Sequence, residues 1–277
     1  PRDPDFRGLP ASVGRLQAPA IEDVKNYVVK ALAYEKGSAA PGPAFLLGDR
    51  GYDMSDSLFR EYAPMVKSVK QDHWLLNKGK GDGPKEATPK DLDAALNANA
   101  PFVLYVGHGT AQLWNSGSFA LANIRLTNPR PVPLVIAIAC ETALGAPNIP
   151  WYPYYTSDGK LQEWGKHDWK AKGAITREMV GDIHSLQAGT TQENYSRRFT
   201  SKDRFGSMVY IGETIVTHAN WEFVSQFLKR IEDAWRRKDR GVRIGDIWRS
   251  TFSTCSAGER PWYLQLAGDP TTPLLYR

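Results

Sequence analysis

Cysteine is scarce in this sequence: Cys140 and Cys255 are the only two in 277 residues, and they lie far apart. Two cysteines do not make a disulfide scaffold in a chain of this length, so a free thiol is the expected state. Metal-ligand spacings are missing too, with no CxxC, no HExxH and no pair at helical spacing among the five histidines. No GxGxxG or phosphate-loop signature cradles a nucleotide. No apolar run approaches the roughly 20 residues needed to span a bilayer, and no basic-then-apolar signal segment opens the chain. The first residue is Pro1 rather than Met, so an upstream signal stays open. Net charge is +5 with a pI near 9.1. The basic residues are scattered, however, and Arg236-Arg237-Lys238 is interrupted by Asp239. No nucleic-acid partner is expected from so diffuse a surplus.

What remains is an ordinary globular composition, 42% hydrophobic and 23% charged, enough to bury a sizeable core. The most informative stretch runs from Pro101 to Glu141. PFVLYVGHGTAQLW and PVPLVIAIACET each hold a short continuous apolar run, opened by proline and closed by a polar, reactive residue. Such runs read as strands buried on both faces. The first ends at Gly107-His108-Gly109, the second at Ala139-Cys140-Glu141. Laid parallel in one sheet, they deliver His108 and Cys140 to its carboxyl edge, where open α/β sheets place their sites. A thiol beside an imidazole is a nucleophile with its base.

Elsewhere, strands alternate with helices, which argues a mostly parallel sheet. Residues 20–36 set Ile21, Val24, Val28, Ala31 and Leu32 on one helical face. PAFLLGD is a further buried strand, and Ser55-Asp56 look like a helix start before LFREYAPMV. A Lys- and Gly-rich loop is expected over 77–88 and a short helix from Asp91 to Leu96. GSMVYIGET reads as a strand, Trp221 to Arg237 as an amphipathic helix, and Val242 to Phe252 as a shorter one. A strand and a Gly268-Asp269-Pro270 turn close the chain. His73, His167 and His184 are expected in loops. Residues 142–205 are rich in Trp and Tyr without period, as a functional insertion would be. A single domain over 1–277 is expected, with 12–145 and 206–277 as core and 146–205 as insertion.

A hydrophobic strand ending in His-Gly, then one ending in Ala-Cys, resembles the caspase-like cysteine peptidases. Four ordered stretches are similar to the gingipains within that group: VGRLQAPAIEDVKNYVVKALAYE, YVGHGTAQLW, PLVIAIAC and LAGDPTTPLL. The resemblance implies a caspase-like three-layer αβα sandwich with a mostly parallel sheet. It implies a cysteine endopeptidase cutting after Arg or Lys, with His108 as general base and acid and Cys140 as nucleophile. Backbone N–H groups of Gly109 and Cys140 would form the oxyanion hole. Asp56 matches the acid of the primary specificity pocket, whose walls would include Val106, Ile138 and Trp221. Asp49 matches a carboxylate that orients the histidine; Asp53 is the alternative for either acid, and His218 follows a strand on the same edge. From the residues alone, Asp56 is equally a helix cap.

The resemblance requires no cofactor and assigns no metal, although a structural calcium, used by some relatives, is left open. Protein or peptide is the implied partner, and oligomeric state is left open. Family habit favours a secreted or cell-surface protein, while two cysteines and no signal fit a bacterial cytoplasm. The segment after Cys140 is longer than its gingipain equivalent. Valine replaces the polar residue usual before Gly107-His108, and the preceding gingipain subdomain has no counterpart here. The rival expectation is a binding module that keeps the scaffold and recognises a partner through 142–205.

Overall fold

The computed structural model describes residues 14–37, 40–49, 58–76, 84–110, 113–114, 119–140, 142–143, 194–213, 221–255 and 264–275. Its centre is a seven-stranded sheet of order β3-β2-β1-β4-β7-β8-β9. The strands are β1 (Ala44–Asp49), β2 (Gln71–Leu76), β3 (Lys85–Glu86), β4 (Phe102–Val106), β7 (Val132–Ile138), β8 (Ser207–Glu213) and β9 (Leu264–Gly268). All neighbours pair in parallel except β8 and β9. A small antiparallel ribbon, β5 (Gly109–Thr110) with β6 (Leu113–Trp114), follows β4.

Every residue of β1, β4, β7 and β8 is buried, as continuous apolar runs covered on both faces must be. Alternation then splits the core in two. Leu46, Leu104, Val106, Ile136, Ile138, Val209 and Ile211 join one cluster with α3 (Trp221–Arg237) and α4 (Ile244–Thr254). Phe45, Leu47, Val103, Tyr105, Val135, Ala137 and Tyr210 join the other, with α2 (Pro89–Asn97), Trp114, Tyr195 and Phe199. Helices therefore flank a mostly parallel sheet, the expected α/β architecture. No described helix is long and apolar enough to cross a membrane.

The helices start where local chemistry dictates. The Thr88 N–H and hydroxyl both donate to the Asp91 carboxylate, at 2.8 and 2.6 Å, ahead of Pro89 at the first position of α2. Helix α1 (Ile21–Glu35) forms where its periodicity places it, but its apolar row does not face the core. Ile21, Val28 and Leu32 are exposed by half or more, and Val24 and Val29 are also exposed. Instead Asp23, Lys30 and Tyr34 are buried, with Tyr27 and Ala31 packed beside them. The reason is that the polar residues find partners. Arg197 donates to both Asp23 oxygens at 3.2 Å, and Lys30 Nζ donates to the carbonyls of Phe199 at 2.6 Å, Thr200 at 2.8 Å and Ser207 at 3.4 Å.

Those partners lie in the last part of the expected insertion. Residues 194–202 form a helical turn, Tyr195–Arg197, running into a wider π turn, Arg198–Lys202, and Tyr195 and Phe199 are fully buried. Trp114 stacks on Tyr195 with centroids 4.7 Å apart and 6° between planes. Strand β2 is a second departure: QDHWLL carries His73 on a sheet position rather than in a loop, exposed and bonded to Gln71. LFREYAPMV forms a π turn and a 3-10 turn, Leu58–Tyr62 and Ala63–Val66.

Candidate active site

Parallel pairing of β4 with β7 brings the two reactive strand ends together. Val106 stands opposite Ile138, and the Gly107 N–H continues the ladder by donating to the Ile138 carbonyl at 3.2 Å. Two residues beyond each lies the expected pair: His108, exposed, and Cys140, half-buried and outside any disulfide. Cys255, also outside any disulfide, is buried in the core cluster that includes α3 and α4.

The glycines flanking His108 are dictated by close approach. A Cβ on Gly109 would come within 2.8 Å of Thr142 Cγ2, 2.9 Å of Ala139 Cβ and 3.0 Å of the Cys140 carbonyl oxygen. Only glycine lets the histidine loop lie this tightly on the cysteine turn. A Cβ on Gly107 would meet Asp49 Cβ at 2.4 Å and the Tyr105 hydroxyl at 2.6 Å.

Two groups hold the histidine backbone. Strand β1 pairs with β4 on its other side, Gly48 opposite Val106, so Asp49 reaches the loop. Its carboxylate accepts from the His108 N–H at 3.5 Å. The Tyr105 hydroxyl donates to the His108 carbonyl at 2.6 Å. Burial pushes the Tyr105 phenol well above its usual range, with the Asp49 carboxylate adding to the effect, so it remains a donor. Beneath Tyr105 its ring stacks on Trp114, centroids 4.5 Å apart.

The cysteine turn is fixed as firmly. Thr142 Oγ1 donates to the Ala139 carbonyl at 3.1 Å, the Ala143 N–H donates to the Glu213 carbonyl at 2.8 Å, and Gln17 Nε2 donates to the Ala143 carbonyl at 3.3 Å. Asn194 Nδ2 in turn donates to Gln17 Oε1 at 2.9 Å.

Of the other expected site residues, Val106 and Ile138 lie under the two strand ends, buried in the same cluster. Trp221 is the first residue of α3, its side chain outside the described residues. Asp56, Asp53 and His218 also lie outside them, as do His167 and His184. Among the described residues, no group of three or more His, Cys, Asp or Glu could hold a metal ion. Tyr105 and Glu213 are site-edge residues that sequence reasoning passes over. Tyr105 sits inside an apolar run, and Glu213 closes its strand as an acid with no cysteine or histidine beside it.

A model of peptidase family C25 matches residues 3–275. No curated protein sequence matches. Among solved structures, the chain is similar to the Arg-specific cysteine proteinase gingipain R (RgpB), with a TM-score of 0.60 and 15% identity over 98% of this chain and 57% of that one. It is likewise similar to the complex of the pro- and mature domains of Porphyromonas gingivalis RgpB, with a TM-score of 0.63 and 14% identity over 98% and 58%. A third structure, described only as a protease, gives 0.54 and 16% over 92% and 54%. The chain thus spans a little over half the length of these structures and shares their fold. With the family model matched almost from end to end, the chain belongs to peptidase family C25.

Proposed function

We propose that the chain is a cysteine endopeptidase that hydrolyses peptide bonds after a basic residue, with Cys140 as nucleophile and His108 as general base and acid. The observation that carries this reading is the meeting of the two strand ends: Val106 opposite Ile138, with Gly109 packed on the Cys140 peptide. Family membership supports the reaction class, and the fold shared with an Arg-specific proteinase supports the basic preference.

In this reading His108 takes the Cys140 proton, and the thiolate sulfur bonds to the substrate carbonyl carbon. Backbone N–H groups of Gly109 and Cys140 receive the developing oxyanion. The C–N bond breaks as the imidazolium gives its proton to the leaving amine. Water, deprotonated by His108, then attacks the thioester, releasing the acid and restoring the thiol. Asp49 and Tyr105 hold the histidine loop through its backbone, and Asp56 is assigned to the substrate's basic side chain. Protein or peptide is the substrate, and the chemistry requires no cofactor.

Alkylation by iodoacetamide across pH, with the labelled cysteine identified by peptide mapping, tests the pairing. A thiol activated by His108 reacts well below the usual thiol range near pH 8.5, and His108→Ala slows it at pH 6. An ordinary thiol profile for Cys140, indifferent to His108→Ala, would contradict the reading.

A further inference from the structure

Glu213 ends β8 at the same sheet edge as Cys140 and is only 2% exposed. Its carbonyl receives the Ala143 N–H at 2.8 Å, so its backbone is tied directly to the cysteine turn. Strand alternation fixes its face. Tyr210 joins the core on one side, Val209 and Ile211 the core on the other, and Glu213 continues the Val209–Ile211 row. That row lies beside Val106 of β4 and Ile138 of β7, across the ladders β4·β7·β8. The carboxyl thus stands at the carboxyl edge, on the face that carries Val106 and Ile138, one strand beyond the cysteine strand.

Among the described residues, neither a hydrogen bond nor a charge offsets the burial of this carboxyl. The core cluster on that face is built of uncharged residues, Phe223, Val224, Phe227, Trp248 and Phe252 among them. Tyr210, whose phenol is raised by its own burial with a smaller push from Glu213, belongs to the opposite core cluster. Burial alone raises the Glu213 carboxyl to about 8. A buried acid without a partner costs folding free energy, and such groups concentrate where a ligand supplies the missing charge.

We propose that Glu213 is a specificity residue of this active site, its carboxylate pairing with the side-chain cation of the arginine or lysine that precedes the cleaved bond. The assignment rests on the peptidase reading above and adds a second acid to the pocket that reading gives to Asp56. A guanidinium brought against an isolated, desolvated carboxylate forms a strong charge-assisted pair. The free carboxyl, mostly protonated at pH 7, must ionise to make it, so binding releases a proton.

Calorimetry on the full chain in the Cys140→Ala background tests this, using two peptides that differ only in arginine or its neutral isostere citrulline. The arginine peptide is expected to bind at least about tenfold more tightly. Its binding enthalpy at pH 7 should vary with buffer ionisation heat in the sense of proton release. In Cys140→Ala/Glu213→Gln both the preference and the proton release disappear. Gln keeps the shape and removes only the charge, so thermal unfolding of that variant checks that the fold is intact. An arginine preference or proton release that survives Glu213→Gln overturns the proposal, as does equal binding, or no binding, of the two peptides by the parent. If Cys140-dependent cleavage after basic residues persists alongside such a result, only the role of Glu213 falls. If no cleavage depends on Cys140, it is the peptidase reading that fails.

Discussion

The Tyr105 hydroxyl donates to the His108 carbonyl at 2.6 Å, from the residue three places earlier in the same strand-and-loop. It acts together with Asp49, which accepts from the His108 N–H. The histidine backbone is thus gripped at both its N–H and its carbonyl by buried side chains. Tyr105→Phe removes one grip and keeps the stacking on Trp114. The expected result is a fall in kcat of roughly tenfold with KM little changed, since geometry and not binding is disturbed. Stability should drop by about 1 kcal/mol, the usual net worth of one hydrogen bond. Steady-state kinetics and urea unfolding on the same preparations separate the two effects.

Gly109→Ala introduces a Cβ at 2.8–3.0 Å from Thr142, Ala139 and Cys140. Two of those neighbours are a short side chain and a backbone oxygen, which cannot swing away. The histidine loop must lift from the cysteine turn, and activity should fall by about a hundredfold or more. The thermal midpoint should move less in proportion, because the strain of an inserted methyl, about 1–3 kcal/mol, is borne at the sheet edge. A variant with full turnover would show that the two loops need not touch.

Lys30 donates to three backbone carbonyls from a site with no solvent exposure. Burial pulls its ammonium down to about 7, with Asp203 opposing. Lys30→Met fits the same volume but leaves those carbonyls without a donor. At pH 6, where the ammonium is charged, urea unfolding should show a loss of about 3 kcal/mol. The 194–202 segment, held by Lys30 and by Arg197 on Asp23, should become the first site of limited proteolysis.

Stability should fall as pH rises through the range of Glu213. Its carboxyl moves from an ordinary 4.5 to about 8 in the fold, so between these values the folded chain holds a proton that the unfolded chain has lost. The stabilisation is complete below about 4.5, declines as pH climbs, and is gone above about 8. Glu213→Gln removes this slope and is the more stable form at pH 9. Thermal midpoints of both forms from pH 5 to 9 check the sign; parallel curves would mean that the carboxyl is solvated.

Much of this was legible because the site lies on strands buried from both sides. FVLYV and VPLVIAI are continuous apolar runs closed by His108 and Cys140, so both the sheet and the meeting of these strand ends could be read directly. The α1 face could not. Its exposed row of Ile21, Val28 and Leu32 has the period of a buried stripe, whereas the burial of Asp23 and Lys30 depends on partners near 170 residues downstream. Nothing local to the helix announces them. Strand β2 was hidden for a different reason: as a half-covered strand near the sheet edge it carries Gln71, Asp72 and His73 in a row, a polar run without alternation. Glu213 escaped notice because its character comes from burial, uncompensated among the described residues, and a sequence does not record how deeply a strand-end acid is covered.

The most direct test of the whole account is the initial rate on fluorogenic peptides ending in arginine, lysine or leucine, for the native chain and Cys140→Ala. The account predicts cleavage after arginine or lysine in preference to leucine, reduced by more than about a thousandfold in the variant while its thermal midpoint is kept. Cleavage that persists in Cys140→Ala, or a native chain that turns over none of the three, would contradict it.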